Sequence, residues 1–150
     1  MANTYSIVAK VDPKVAYSYV ADLNRHVEWS PDNLQIQPEQ TGPIQVGSRF
    51  KTVGHLQGKP NPSTVEVVAM EEPRLFAFKS TDGNSEWLHE FSFVPESGGT
   101  RIDRKVTVLR APTFLYVVWP ILHPLVVKPG NMKSMGMLRD HLERLPALPA

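Results

Sequence analysis

At 150 residues the chain fits a single domain, and a domain of this size buries roughly 70% of its unfolded surface. Its 16 basic and 15 acidic residues leave a net charge of +1, which gives no electrostatic reason to expect nucleic acid as a partner. The absence of cysteine excludes disulfides, thiolate catalysis and cysteine-based metal sites. The N-terminal residues show no basic region followed by an apolar one, so we predict no signal peptide and expect a cytoplasmic protein.

The chain begins with patterns typical of one strand and two short helices. Thr4 to Val11 is rich in β-branched and aromatic residues, which predicts a first strand. Asp12 and Pro13 then supply an N-cap and a proline at the first helical position. A second short helix is expected from Asn24 through Trp29, because Ser30-Pro31 stops it.

From Asn33 to Arg110 the hydrophobic pattern takes the period of two that is typical of strands. Leu34 and Ile36 mark the first strand, and Gly58 to Pro62 is predicted as a loop from its glycine, prolines and asparagine. Short turns between the strands predict an antiparallel meander. The five longer strands are expected at Gly47–Gln57, Ser63–Met70, Arg74–Thr81, Ser85–Val94 and Thr100–Arg110.

Ala111 to Val127 is an apolar run of about the minimum length for a membrane span. Its prolines remove backbone donors, and a lone span would leave the freed carbonyls unsatisfied in lipid. We therefore expect residues 111–129 to form a proline-interrupted, partly exposed apolar segment. Phe114 to Val127 could act as a lid over a pocket, as a dimer contact or as a weak contact with a membrane.

A long helix is predicted from near Gly130 to Pro146, because methionine and leucine recur there at helical spacing on one face. The elements together predict one α+β domain over residues 1–150. A bent antiparallel sheet of six to seven strands would wrap around the C-terminal helix, with two short helices after the first strand. Such a sheet encloses more volume than one helix fills, so we expect an apolar cavity.

The sequence resembles the polyketide cyclase/dehydrase-like proteins of the START/Bet v 1 (SRPBCC) superfamily. The similar phrases are Val11-Asp12-Pro13 with Val15-Ala16-Tyr17, Ala21-Asp22-Leu23, Glu28-Trp29-Ser30-Pro31, Val46-Gly47-Ser48-Arg49-Phe50, Glu71-Glu72-Pro73-Arg74 and Gly98-Gly99-Thr100-Arg101. The resemblance extends from Ile7 to Leu145 and implies the helix-grip fold with an internal ligand pocket. One departure is His26, where many relatives carry a tryptophan.

The strand from Ser85 to Val94 is the most informative for function. Trp87, His89, Phe91 and Phe93 share one face, and the large aromatic rings should direct that face inward. If the Pro95 to Gly99 turn pairs Phe93 with Ile102, Arg104 faces Phe91 and lies diagonal to His89. An inward arginine is costly unless it is satisfied, so Arg104 is the best candidate for a polar ligand contact, although a purely structural role is an alternative.

The predicted pocket residues combine aromatic, polar and helical positions: Phe50, Phe76, Phe78, Trp87, His89, Phe91, Arg104, Met135 and Leu138. No catalytic residue is assigned, because no nucleophile, carboxylate pair, phosphate-binding loop or metal-ligand spacing is present. We expect no cofactor and no metal.

Three functions remain open at this point. The first is binding or transport of a hydrophobic small molecule, lipid-like or polycyclic. The second is a polyketide cyclase/dehydratase, a lyase-like enzyme in which Arg104 would polarise a carbonyl and His89 would shuttle protons. The third is a membrane-peripheral or protein-interaction module that uses Phe114 to Val127.

Overall fold

The computed structural model describes residues 1–31, 33–56 and 58–145. Seven antiparallel strands form one sheet in the order β1-β7-β6-β5-β4-β3-β2. The strands are β1 Ala2–Ala9, β2 Gln35–Pro38, β3 Arg49–Leu56, β4 Lys59–Glu71, β5 Leu75–Asp82, β6 Ser85–Glu96 and β7 Gly99–Arg110. The helices are α1 Pro13–Ala21, a 3-10 helix Leu23–Glu28, α2 Thr113–Leu122, a π turn His123–Val127 and α3 Lys128–Arg144.

The predicted α+β architecture is confirmed. Strands β2 to β7 form a continuous meander. The first strand of the chain, β1, pairs with β7 and forms one edge of the sheet. Helix α3 packs on the inner face of the sheet through Met135, Leu138 and Leu142, all fully buried. Helix α1 and the 3-10 helix follow β1 as predicted, and Asp22 caps the 3-10 helix by accepting from the backbone N–H of Asn24.

Strand β1 begins and ends two residues earlier than predicted. Its pairing with β7 runs from Ala2 opposite Thr107 to Ala9 opposite Thr100. Past that point the chain turns away towards α1, and the hydroxyl of Thr100 donates to the carbonyl of Val11 at 2.7 Å. The end of β1 coincides with the start of its partner β7 at Gly99, and the local pattern of residues 4–11 does not contain this information.

The loop predicted at Gly58 to Pro62 is wrong in part, because β4 already begins at Lys59. Pro60 pairs opposite His55 and Pro62 opposite Val53 on β3. The pairing of β4 with β5 starts only at Thr64, so this end of β4 has a neighbour on one side alone. A proline without an N–H donor is tolerated at such an edge, which explains why proline-rich composition did not prevent a strand.

Residues 113–144 form one continuous helical stretch, so the apolar segment is helical where an interruption at its prolines was expected. Pro120 lies inside α2, and Pro124 lies at the start of the π turn. The N–H of Lys128 donates to the carbonyl of His123, which closes the wider turn around Pro124. No helix in the described ranges is both long and apolar enough to cross a membrane. Gln57 and Pro146, the predicted ends of β3 and of the last helix, lie outside the described residues.

Candidate functional site

A cavity of about 230 Å³ lies between the inner face of the sheet, the 3-10 helix and α3. Strands β2 to β7 each contribute to its wall, because their inward positions alternate along the sheet. The aromatic rings that line it come from the 3-10 helix and its end, from β3, from β5 and from β6: His26, Trp29, Phe50, Phe78 and His89. Hydroxyl groups interrupt this apolar lining at Thr52, Ser63, Ser80 and Ser134.

The nine predicted pocket residues fall into three places. Those that line the cavity are Phe50, Phe78, His89 and Arg104. Those that pack in the fully buried core around it are Phe76, Phe91, Met135 and Leu138. Trp87 lies outside both groups, because its ring packs against Trp119 of α2 with 6.0 Å between the ring centroids. Contact with a ligand remains a prediction for all of them.

The polar centre of the cavity is formed by Arg104 and His89. Phe93 pairs with Ile102 and Phe91 with Arg104, as expected from the turn at Pro95 to Gly99. This register places Arg104 diagonal to His89, and its Nη2 lies 3.1 Å from Nδ1 of the imidazole. A guanidinium only donates, so Nδ1 must accept and the ring proton must reside on Nε2.

Aromatic rings surround this pair. The guanidinium carbon of Arg104 lies 5.3 Å from the ring centre of Phe91 and 5.8 Å from that of Trp29, distances typical of cation–π contacts. His89 lies directly opposite Phe78 on β5, and the two rings stack with centroids 4.7 Å apart. The rings therefore fix the orientation of both polar side chains and limit the access of water to them.

Both histidines of the cavity are held neutral. Burial, and then the positive charge of Arg104, lower the pKa of His89 well below its usual value. Burial lowers the pKa of His26 to about 3, against the opposing effect of its hydrogen bond to the carbonyl of Val20 at 2.7 Å. At neutral pH the two imidazoles of the cavity are thus uncharged, and they share its lining with the Arg104 guanidinium and the Asp82 carboxyl group.

Ser134 connects the last helix to this wall. Its buried hydroxyl donates to the carbonyl of Trp29 at 3.0 Å, and so joins α3 to the end of the 3-10 helix. The indole N–H of Trp29 is itself buried and has no hydrogen-bond partner among the described residues. An acceptor on a bound molecule, or a water molecule, could satisfy this donor.

Sequence reasoning missed most residues of the wall, among them His26, Trp29 as a lining residue, and Ser134. The departure from the family pattern at His26 was the one available indication for that position. Ser134 directly precedes Met135 of the predicted apolar stripe, but nothing in the sequence shows that its hydroxyl faces the 3-10 helix. Within the described ranges, no group of three or more histidine or acidic side chains is placed to hold a metal ion.

Solved structures similar to this chain share its fold at low sequence identity. A START superfamily protein from Mycobacterium smegmatis aligns with a TM-score of 0.78 at 15% identity, over 97% of this chain and 99% of that one. A protein from Thermus thermophilus gives a TM-score of 0.75 at 17% identity, over 95% and 97% of the two chains. The di-domain ARO/CYC protein BexL from the BE-7585A biosynthetic pathway gives 0.74 at 14% identity, over 97% of this chain and 51% of BexL.

A search of curated protein sequences found no match. The family model described as polyketide cyclase/dehydrase and lipid transport, in contrast, matches residues 3–143, which is nearly the whole chain. The seven-stranded sheet, the long C-terminal helix and the cavity between them agree with that match. The chain belongs to the polyketide cyclase/dehydrase and lipid transport family.

Proposed function

We propose that this protein binds a small, largely apolar molecule that carries one hydrogen-bond acceptor, inside the cavity between the sheet and α3. The observation that carries this proposal is the Arg104–His89 pair, which projects from β6 and β7 into a wall of aromatic rings. Apolar pockets with a few convergent polar groups are typical ligand sites, in which the polar groups fix orientation.

The size of the cavity favours a compact ligand. Pockets for drug-sized molecules usually measure roughly 300–1,000 Å³, and this cavity measures about 230 Å³. A one- or two-ring compound or a short acyl chain fits that volume better than a polycycle of four rings. A larger ligand would have to extend out of this cavity or displace part of its wall.

The Arg104–His89 centre of the cavity and Trp29 beside it present hydrogen-bond donors, and these define the complementary group on the ligand. Nδ1 of His89 already accepts from Arg104, so the imidazole offers its Nε2–H. The guanidinium of Arg104 lines the same cavity, and the indole N–H of Trp29 is buried in its wall. A carbonyl, ether or carboxylate oxygen on the ligand would match these donors.

A cyclase/dehydratase is the second candidate, because Arg104 and His89 do line one cavity. The guanidinium is suited to polarising a carbonyl oxygen in such a reaction. A proton shuttle through His89 is poorly supported, since its accepting nitrogen is occupied and the nearby cation opposes protonation. The geometry therefore supports binding better than acid–base chemistry.

Three naphthalene probes that differ only in their polar group test the proposal: 2-naphthoic acid, methyl 2-naphthyl ketone and 2-methylnaphthalene. Quenching of tryptophan fluorescence reports binding, since Trp29 lines the cavity. We expect the acid and the ketone to bind at least about tenfold more tightly than the hydrocarbon, from a hydrogen bond to a charged donor.

Two variants and a control sharpen this test. Arg104→Met should remove the preference for the polar probes, and Ser80→Phe should fill the cavity and abolish binding of all three. Arg139→Met, at an exposed position on α3, is the matched control and should behave as the wild type. Unchanged binding in Ser80→Phe would refute the cavity as the site. Native mass spectrometry of gently purified protein should reveal a co-purifying apolar ligand. Chemical conversion of a ligand without stoichiometric binding would instead favour the cyclase/dehydratase.

A further inference from the structure

Helix α2 and the π turn leave a continuous apolar face in solvent. Phe114, Val117, Ile121 and Leu125 follow each other at spacings of three, four and four residues, which places them along one side of the helix. Their exposed fractions are 65%, 73%, 67% and 71%. Single exposed apolar residues are ordinary, but four adjacent large ones on one helix form a patch that indicates a binding surface. These four residues are called the apolar face below.

The opposite side of the same helix is fixed to the body of the protein. Trp119 packs against Trp87 of β6, and Nε2 of His123 lies 2.7 Å from the hydroxyl of Tyr5 on β1. Trp119 and His123 are four residues apart and therefore share the inward side of the helix. This attachment holds the apolar face pointing away from the sheet.

The charged residues of the chain segment that carries the apolar face are all basic. Between Asp103 and Asp140 the chain contains no acidic residue. Arg110 precedes the helix, and Lys128 and Lys133 follow the π turn in exposed positions. Arg110 contacts Glu86 at 3.5 Å, whereas neither lysine forms an ion pair with any described residue. The apolar face is thus followed by two lysines that are available to an anionic partner.

We propose that the apolar face docks this protein on a membrane that carries anionic lipids. Phe114, Val117, Ile121 and Leu125 would enter the boundary between headgroups and acyl chains, and Lys128 and Lys133 would contact the headgroup phosphates. A second copy of the chain fits less well. Whether two copies of this helix pack parallel or antiparallel, cations of one copy approach cations of the other. Residues 104–139 supply no acidic residue to pair with them.

Vesicle flotation tests the proposal, with phosphatidylcholine vesicles prepared with and without phosphatidylserine. The wild type should float with the anionic vesicles, less at higher salt, and should stay behind with the neutral ones. The double variant Val117→Asp/Ile121→Asp should lose flotation, because it places two carboxylates on the apolar face. Lys128→Gln and Lys133→Gln should each weaken binding roughly fivefold, as expected for one cation at an anionic surface.

Val46→Asp is the matched control, because Val46 is also strongly exposed, at 58%, but lies in the connection between β2 and β3. Circular dichroism should show the same fold for all variants. The proposal would be overturned if the wild type did not float with anionic vesicles. It would also be overturned if the double variant still floated with them. Equal binding to neutral vesicles would refute the role of the lysines. A doubled mass in light scattering that the double variant abolishes would assign the face to a second copy. None of these outcomes depends on the occupant of the cavity.

Discussion

Arg104 donates from Nη2 to Nδ1 of His89 across two neighbouring strands, at 3.1 Å. The contact joins the cation of the cavity to an imidazole that burial and this same cation keep neutral. Each side chain thereby fixes what the other can offer to a ligand: the imidazole loses its acceptor, and the guanidinium is oriented by a ring that stacks on Phe78. The pair therefore presents hydrogen-bond donors in fixed orientations. The tautomer and the pKa of His89 can be measured without knowledge of the ligand.

The first prediction concerns the tautomer of His89. Two-dimensional nitrogen–proton NMR of the imidazoles should show His89 as the Nε2–H form at neutral pH, because its Nδ1 accepts from Arg104. Arg104→Met should raise the pKa of His89 from its depressed value, since it removes the cation but retains most of the apolar side chain. Arg139→Met, on the exposed side of α3, controls for loss of an arginine. An Nδ1–H tautomer in the wild type would contradict the geometry.

The second prediction concerns stability at acid pH. The pKa of His26 is about 3 in the fold and near its ordinary value of 6.5 in the unfolded chain, so the unfolded state binds more protons between these values. Stability is therefore complete above roughly pH 6.5 and falls as the pH decreases. From pH 7 to pH 5, His26 alone should lower the free energy of unfolding by about 2 kcal/mol.

Urea unfolding at the two pH values measures this effect. His26→Gln should show a smaller loss between them than the wild type, although its stability at pH 7 should be lower because the side chain is buried against Trp29. His141→Gln, at a half-buried position in the last turn of α3, is the matched replacement. The same pH dependence in His26→Gln and in the wild type would show that His26 is not held neutral by burial.

Much of the fold and the placement of the polar pair could be predicted because their causes are local. The turn from Pro95 to Gly99 fixes the register of β6 and β7, and with it the diagonal placement of Arg104 and His89. Trp87 shares the inward face with His89, as its position in the strand requires. Its neighbour is nevertheless Trp119, because α2 covers that end of the strand.

The parts that could not be predicted depend on contacts between distant segments. Ser134 faces the carbonyl of Trp29 only because α3 lies beside the 3-10 helix, 105 residues away in sequence. The strand at Lys59 exists because β3 pairs with it, although its own composition indicates a loop. The prolines of the apolar segment suggested an interruption, but the helical stretch continues with Pro120 inside α2 and Pro124 at the start of the π turn.

The third prediction separates core aromatic residues from exposed ones. Phe91 is fully buried beneath Trp29 and Arg104, whereas Phe114 is 65% exposed on α2. Phe91→Ala should lower the free energy of unfolding by about 3–5 kcal/mol, from lost burial and a residual cavity. Phe114→Ala should change it by no more than about 0.5 kcal/mol. Urea denaturation of both variants provides the comparison, and a large loss in Phe114→Ala would mean that the apolar face is covered in the isolated protein.

The fourth prediction uses two glycines in opposite surroundings. A methyl group at Gly99, which opens β7, would overlap the carbonyl oxygen of Ala9 at the end of β1. The new methyl group is attached to the backbone of β7, and the carbonyl oxygen belongs to the backbone of β1. Neither strand can therefore move away without disturbing the pairing of β1 with β7. Gly99→Ala should therefore cost about 1–3 kcal/mol in the free energy of unfolding, as is usual for overpacking.

Gly136 is the counterpart in α3, where a methyl group would meet open space. Gly136→Ala should increase the free energy of unfolding by about 0.5–1 kcal/mol, because alanine loses less backbone entropy in a helix. Both substitutions add one methyl group. If the urea unfolding curves have equal slopes, the opposite signs of the two changes in the free energy of unfolding arise from the surroundings of the glycines alone. A neutral Gly99→Ala would show that the edge of the sheet at Ala9 yields easily.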